Sequence, residues 1–146
     1  MRNNIIITED EWLMVSKWSL WATCYDLKSS EDVTIKSWEI KLVWTWVKTN
    51  FANKIYARSS LPYKKGLMLA NSVWIIDEDY AWEIKAPLYN FTYKDVTISK
   101  YERIVQMEVW SEWRVVLEVN KDKYNKWDEL NDTERWEWWF WSTWQL

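Results

Sequence analysis

Short runs of β-branched and aromatic residues recur about every ten positions along the chain, and few segments repeat at helical spacing. The runs are Ile5–Thr8, Asp32–Ile35, Glu39–Val43, Lys54–Ala57, Leu67–Val73, Glu83–Phe91, Asp95–Ile98, Arg103–Val109 and Val115–Val119. Apolar and polar residues alternate clearly in Glu83-Ile84-Lys85-Ala86 and in Asp95-Val96-Thr97-Ile98, which predicts strands with one buried face. Pro87 falls inside a good strand pattern and predicts an edge or a bulge there. Leu67–Val73 and Glu83–Leu88 read as two strands joined through the acidic turn Asp77-Glu78-Asp79. A short helix fits near Glu9–Met14 or after Ser72. From Asn120 the chain turns polar, and the aromatic tail after Arg135 follows neither period, as an arm docking elsewhere would. With no repeat and no linker, residues 1–146 read as one all-β domain, a sandwich or barrel.

Composition narrows the chemistry. A length of 146 residues is enough for one real core, and a net charge of −3 favours neither nucleic acid nor a polybasic membrane contact. Lys64-Lys65 is the only adjacent basic pair. There is no His, which excludes Ser-His-Asp and Cys-His catalysis and His-ligated zinc or iron. A metal would bind through oxygen, as magnesium does. Cys24 is the only cysteine, so no intrachain disulfide forms and a reducing compartment fits. The apolar run Ile5-Ile6-Ile7 is too short for a signal peptide or a span, so the expectation is a cytoplasmic protein without a membrane partner. Sixteen Trp accompany a single Gly, although ordinary usage of about 7% would give roughly ten Gly.

Candidate chemistry falls in five stretches. Ala22-Thr23-Cys24-Tyr25-Asp26-Leu27 is a polar break between apolar runs. Ala57-Arg58-Ser59-Ser60-Leu61 sets a forked cation and two hydroxyls after a strand, which suits a phosphate and equally suits a surface Arg with a Ser cap. Leu69–Ile84 places Asp77 at a strand end near Tyr80; this suits water activation beside a flat ligand, or a plain hairpin with its carboxylates in solvent. Glu102-Arg103-Ile104-Val105-Gln106 is a charged strand start. The tail offers Arg135, Phe140, Ser142 and Thr143: a cation, a stacking ring and two hydroxyls.

In this order and spacing, the five stretches resemble those of the trimeric dUTPase family (deoxyuridine triphosphate nucleotidohydrolases) over roughly Leu20 to Trp144. Val33-Thr34-Ile35, Ile40-Lys41-Leu42-Val43 and Leu88-Tyr89-Asn90-Phe91-Thr92 resemble its connecting strands. The resemblance implies a distorted jelly roll or β-barrel-like sandwich, a homotrimer, and sites built from three chains, with residues 131–146 as the completing arm. It implies that Asp77 deprotonates the attacking water and meets the 3′-hydroxyl. Asn71 and the backbone of Ile75 and Ile76 would read uracil in a pocket too tight for the thymine methyl. Tyr80 would lie under deoxyribose, leaving no room for a ribose 2′-hydroxyl. Arg58, Ser59 and Ser60 would hold the triphosphate, Gln106 would sit near the α-phosphate, and Lys85 would be a further substrate contact. Arg135, Ser142 and Thr143 would grip the γ-phosphate, with Phe140 closing over uracil. The implied reaction gives dUMP and pyrophosphate, with Mg2+ held mainly by the phosphates and water and no direct protein ligand.

The chain departs from the family at its glycines. Trp74 and Trp82 in the hairpin, Trp38 and Trp46 in turns, and Trp136, Trp139, Trp141, Trp144 and commonly Trp138 in the arm stand where the family has glycine, as do Cys24 and Tyr101. Ala81 stands where an Arg is usual, and Gly66 is retained. An alternative therefore stands beside the enzyme: a non-catalytic module of the same fold that binds nucleotide or a partner. A purely aromatic docking surface fits less well, because the substituted positions are turns at far ends of the fold.

Overall fold

The computed structural model describes residues 2–110 and 114–131. Among them are twelve strands: β1 Asn4–Thr8, β2 Cys24–Lys28, β3 Val33–Ile35, β4 Ile40–Trp44, β5 Lys48–Thr49, β6 Asn53–Ala57, β7 Leu67–Leu69, β8 Trp74–Ile76, β9 Lys85–Asn90, β10 Val96–Ile98, β11 Arg103–Glu108 and β12 Val115–Val119. They form four small sheets, ordered β12-β1-β5, β10-β3, β2-β11-β6-β8 and β4-β9-β7. The fold is all-β, as the periodicity predicts, and its inward faces meet in one core that includes Ile6, Leu27, Ile35, Ile55, Leu88 and Ile104. A smaller cluster, Ile7, Ala81, Tyr124 and Trp127, lies beneath two short helices, α1 Lys121–Asn125 and α2 Trp127–Leu130.

Several local expectations need correction. Leu67–Val73 is not one strand: β7 stops at Leu69, and the chain turns at Ser72, whose φ is 65°. It resumes as β8, which leaves for another sheet and pairs with β6. The expected hairpin is thus a ladder between β7 and β9 with an excursion between them. No helix follows Ser72, whereas Glu11–Leu13 forms a single 3-10 turn that Asp10 caps by accepting from the Trp12 N–H. The polar stretch after Asn120 folds into α1, where the Asn120 side chain caps Lys123 N–H. Pro87 is in a central strand rather than at an edge. Ala70 N–H donates to the Pro87 carbonyl at 2.8 Å, and the reciprocal donor is the one proline lacks. The missing bond falls one residue past the end of β7, where that ladder has already stopped.

The backbone separates the substituted glycine positions into two kinds. Trp38, Trp46 and Tyr101 take left-handed conformations, with φ of 63°, 53° and 70°. Gly66 does the same at 68°, and a Cβ there would lie 2.1 Å from Thr92 Cγ2. Trp74, Trp82 and Cys24 have ordinary φ, so their side chains meet a question of space rather than of backbone strain. A non-Gly residue in the left-handed region costs about 1–2 kcal/mol. Trp38 is half exposed, and its ring lies beside those of Tyr89 and Tyr93. We expect Trp38→Gly to stabilise the fold by about 1 kcal/mol, read as a higher urea midpoint at unchanged m-value.

Candidate functional site

Two cavities lie along the outer face of the β2-β11-β6-β8 sheet. The first, about 400 Å³, is lined by Arg58, Ser59, Gln106, Asp26, Cys24 and Trp18, with Ala22 and Thr23. A bulge in β11 between Arg103 and Val105 builds this cleft. Residues 103 and 106, three apart, would face opposite sides of a regular strand; the extra residue turns both toward one side and lets Ile104 and Val105 both be buried. Asp26 stands opposite Gln106 in the neighbouring strand. It is 4% exposed and held between two guanidinium groups: Arg58 Nε is 3.2 Å from Oδ1 and Arg103 Nη1 is 3.6 Å from Oδ2. Gln106 Nε2 donates to the Ala57 carbonyl at 3.0 Å, which fixes the side chain at the cleft floor. Two cations against one buried carboxylate leave a net positive charge, and with the Ser59 hydroxyl that suits a phosphate chain. The roles of Asp26 and Arg103 were not assigned from sequence. The available signal was an acidic residue inside an otherwise apolar strand, Tyr25-Asp26-Leu27, which only paired cations can bury.

The second cavity, about 340 Å³, has Ile75, Ile76 and Asp77 on one side and Phe51, Asn53, Lys54 and Trp110 on the other. Asp77 follows β8, and its carbonyl accepts from Tyr80 N–H at 3.0 Å, closing the acidic turn. Tyr80 is held by its hydroxyl, which donates to the Glu83 carbonyl at 2.9 Å. Trp74 and Trp82 meet the Tyr80 ring edge-on from separate positions, with centroids 5.6 and 5.5 Å away. Asn71 is exposed in the turn between β7 and β8, and Ser60 opens the helical turn Leu61–Lys65. Lys85 lines neither cavity; its Nζ lies 4.1 Å from the Trp44 ring centroid on the outer face of the β4-β9-β7 sheet. Arg135, Phe140, Ser142 and Thr143 lie outside the described residues.

Glu83 lies two residues before β9 and is 8% exposed, where the sequence alternation predicts an outward-facing residue. The left-handed backbone at Trp46 directs its N–H to the Glu83 carboxylate. Burial pushes this carboxyl up to about 7 from the ordinary 4.5, opposed by the Trp46 N–H and by Lys85 and Lys48. The folded state therefore binds more protons than the unfolded one between those values. The stabilisation is complete below about 4.5 and is lost as pH rises through about 7. We expect this group alone to make the fold about 1 kcal/mol more stable near pH 6 than near pH 8, a difference that Glu83→Gln removes when urea midpoints are compared.

Among the described residues, no helix is long and apolar enough to cross a membrane. Residues 10–144 match the protein family described as dUTPase. The chain is similar to the deoxyuridine 5'-triphosphate nucleotidohydrolase of Nautilia profundicola, with 36% identity over 118 residues covering 78% of each protein. It is 41% identical to that of Lactococcus lactis over 92 residues, 56% of this chain and 61% of the relative. The crystal structure of dUTPase from Streptococcus mutans superposes with a TM-score of 0.68 at 36% identity, covering 73% of this chain and 93% of that one.

Proposed function

This chain belongs to the dUTPase family of enzymes, and on that premise we propose that it hydrolyses dUTP to dUMP and pyrophosphate in the cytoplasm, with Asp77 activating the attacking water. The Asp77 carboxylate takes the proton as the water oxygen bonds to the α-phosphorus. The bond to the bridging oxygen of pyrophosphate then breaks, and Arg58 and Ser59 stabilise the leaving charge. Uracil would lie against Ile75 and Ile76 with Asn71 at the turn, and deoxyribose against Tyr80. Arg135, Ser142, Thr143 and Phe140 of the arm would close the site over the γ-phosphate and base. Lys85 would act from the neighbouring sheet, on the outer rim.

The observation that carries this reading is the cationic cleft of Arg58, Arg103 and Asp26, joined by Ser59 and Gln106, on the sheet that also carries Asp77 at its far end. Asn53, which pairs with Ile76, and Arg58 are five residues apart along β6, roughly 16 Å at about 3.3 Å per residue. A general base works within about 2.6–3.2 Å of the proton it takes. The phosphate cleft and Asp77 thus lie well apart on one protomer. This supports a site shared between copies, a homotrimer in which one chain supplies the base and another the phosphate cleft.

Magnesium, when bound, neutralises phosphate charge and aligns the displacement. Among the described residues no group of three or more carboxylates or thiols gathers as a cage. Pyrophosphate release from dUTP with magnesium tests the reaction. Equal turnover of dTTP or UTP would sink the specificity. One observation favours the rival, non-catalytic reading: Trp74 and Trp82 crowd the Tyr80 ring. Calorimetric binding of dUTP without pyrophosphate release would establish that rival instead.

A further inference from the structure

The turn that carries Asp77 and Tyr80 and the helices from which the arm departs both contact one short segment, Trp46–Thr49, and Ala81 of the turn shares an apolar cluster with Tyr124 and Trp127. Toward the turn, Ile84 N–H donates to the Val47 carbonyl at 2.9 Å, and Thr45 Oγ1 donates to the Ile84 carbonyl at 2.6 Å. The Glu83 carboxylate accepts from Trp46 N–H, while the Glu83 carbonyl holds the Tyr80 hydroxyl. Toward the helices, Lys48 Nζ donates to the Tyr124 carbonyl at 2.9 Å and sits 4.2 Å from that ring's centroid. Trp127 Nε1 donates to the Thr49 carbonyl at 3.1 Å. Glu83, buried, and Lys48, half-buried, attract one another across this segment.

We propose that Glu83 is a positioning residue: through Lys48 it holds the turn bearing Asp77 and Tyr80 in register with the root of the C-terminal arm. This rests on the reading that both parts serve dUTP hydrolysis. The residue touches no substrate. Its side chain works through the Trp46 N–H and the Lys48 ammonium, and its carbonyl through Tyr80. The other groups facing it are Lys85 of β9, Glu9 after β1 and Tyr124 of α1; Asp128 of α2 faces Lys48. Burial pushes the Glu83 carboxyl up to about 7, so its attraction for Lys48 is strong above neutrality and fades below it.

Glu83→Gln keeps an oxygen for the Trp46 N–H but has no charge to face Lys48. Near pH 8, kcat for dUTP is expected to fall by about fivefold or more, although the stability argument above makes this variant the more stable one at that pH. Near pH 6, where Glu83 is itself mostly protonated, the two kcat values should converge. Lys48→Met should reproduce the loss near pH 8, and the double variant should lose little more than either single variant. A kcat ratio that is the same at both pH values, or single losses that multiply, would overturn the proposal. A second readout does not depend on turnover. In Lys48→Met, amide hydrogen exchange should quicken both in 121–131 and in the turn 77–84, whereas quickening confined to 121–131 would overturn the coupling even in a protein without dUTP activity. If the unmodified chain turns over no dUTP while the exchange changes appear together, the coupling stands and the enzymatic reading fails.

Discussion

Asp77→Asn is expected to lower kcat for dUTP hydrolysis by roughly 10²–10⁴-fold while KM changes little. The substitution keeps the shape of the side chain and removes its charge and with it the capacity to take a proton, so the main loss appears in the chemical step. Asp77 stands at the end of β8, one residue past Ile76, which is 1% exposed and anchors the strand in the core. Its backbone is fixed from the other side by the Tyr80 N–H. An amide at the same place therefore meets the same surroundings, and the comparison isolates the proton transfer. Steady-state pyrophosphate release with magnesium in excess is the measurement. Turnover within a few-fold of the unmodified chain would assign the base elsewhere. A raised KM at unchanged kcat would make Asp77 a sugar contact only.

The largest expected effect on stability is at Trp127. Most of the other described Trp side chains reach water, Trp18 and Trp21 being 74% and 89% exposed, but Trp127 is 1% exposed and its indole N–H is satisfied by the Thr49 carbonyl. Trp127→Ala empties the space beneath α2 and leaves that carbonyl without its partner, which together should cost about 3–5 kcal/mol. Trp21→Ala should fall within about 0.5 kcal/mol of the unmodified chain. Urea midpoints at constant m-value measure both. Equal costs at the two positions would mean that the α1–α2 pair contributes nothing to the global fold.

The strands that reason from sequence could find are those whose burial is decided within the strand itself. β9 alternates over six residues and was legible, as were β10 and β11. β2 was not, because Cys24-Tyr25-Asp26-Leu27-Lys28 buries an Asp, and that is possible only once Arg58 and Arg103 arrive from distant strands. β5 has two residues, too short to show a period, and β8 is the wholly apolar run Trp74-Ile75-Ile76, which does not alternate. The split at Ser72 depends on a left-handed residue that does not announce itself as a glycine would. Arg58, Ser59 and Gln106 could be expected together from the resemblance, whereas the bulge that turns Gln106 toward Asp26 could not. Glu83 was hidden for the same reason as Asp26: its partners, Trp46 and Lys48, lie nearly forty residues upstream. For Trp38, Trp46 and Tyr101, sequence reasoning anticipated positions suited to glycine, and all three have left-handed backbone.

The pairing of β1 with β12 has a consequence for how the chain is made. These two strands run parallel in five-residue register, Asn4 with Val115 through Thr8 with Val119, so β1 is completed by a strand made more than a hundred residues later. At about 5–20 residues per second the wait is on the order of 10 s. Through that interval Ile5-Ile6-Ile7 can pair with β5 on one side, while its other edge presents unpaired backbone next to three isoleucines. Demand for a chaperone should therefore concentrate on β1 of the nascent chain and cease once β12 has emerged from the ribosome.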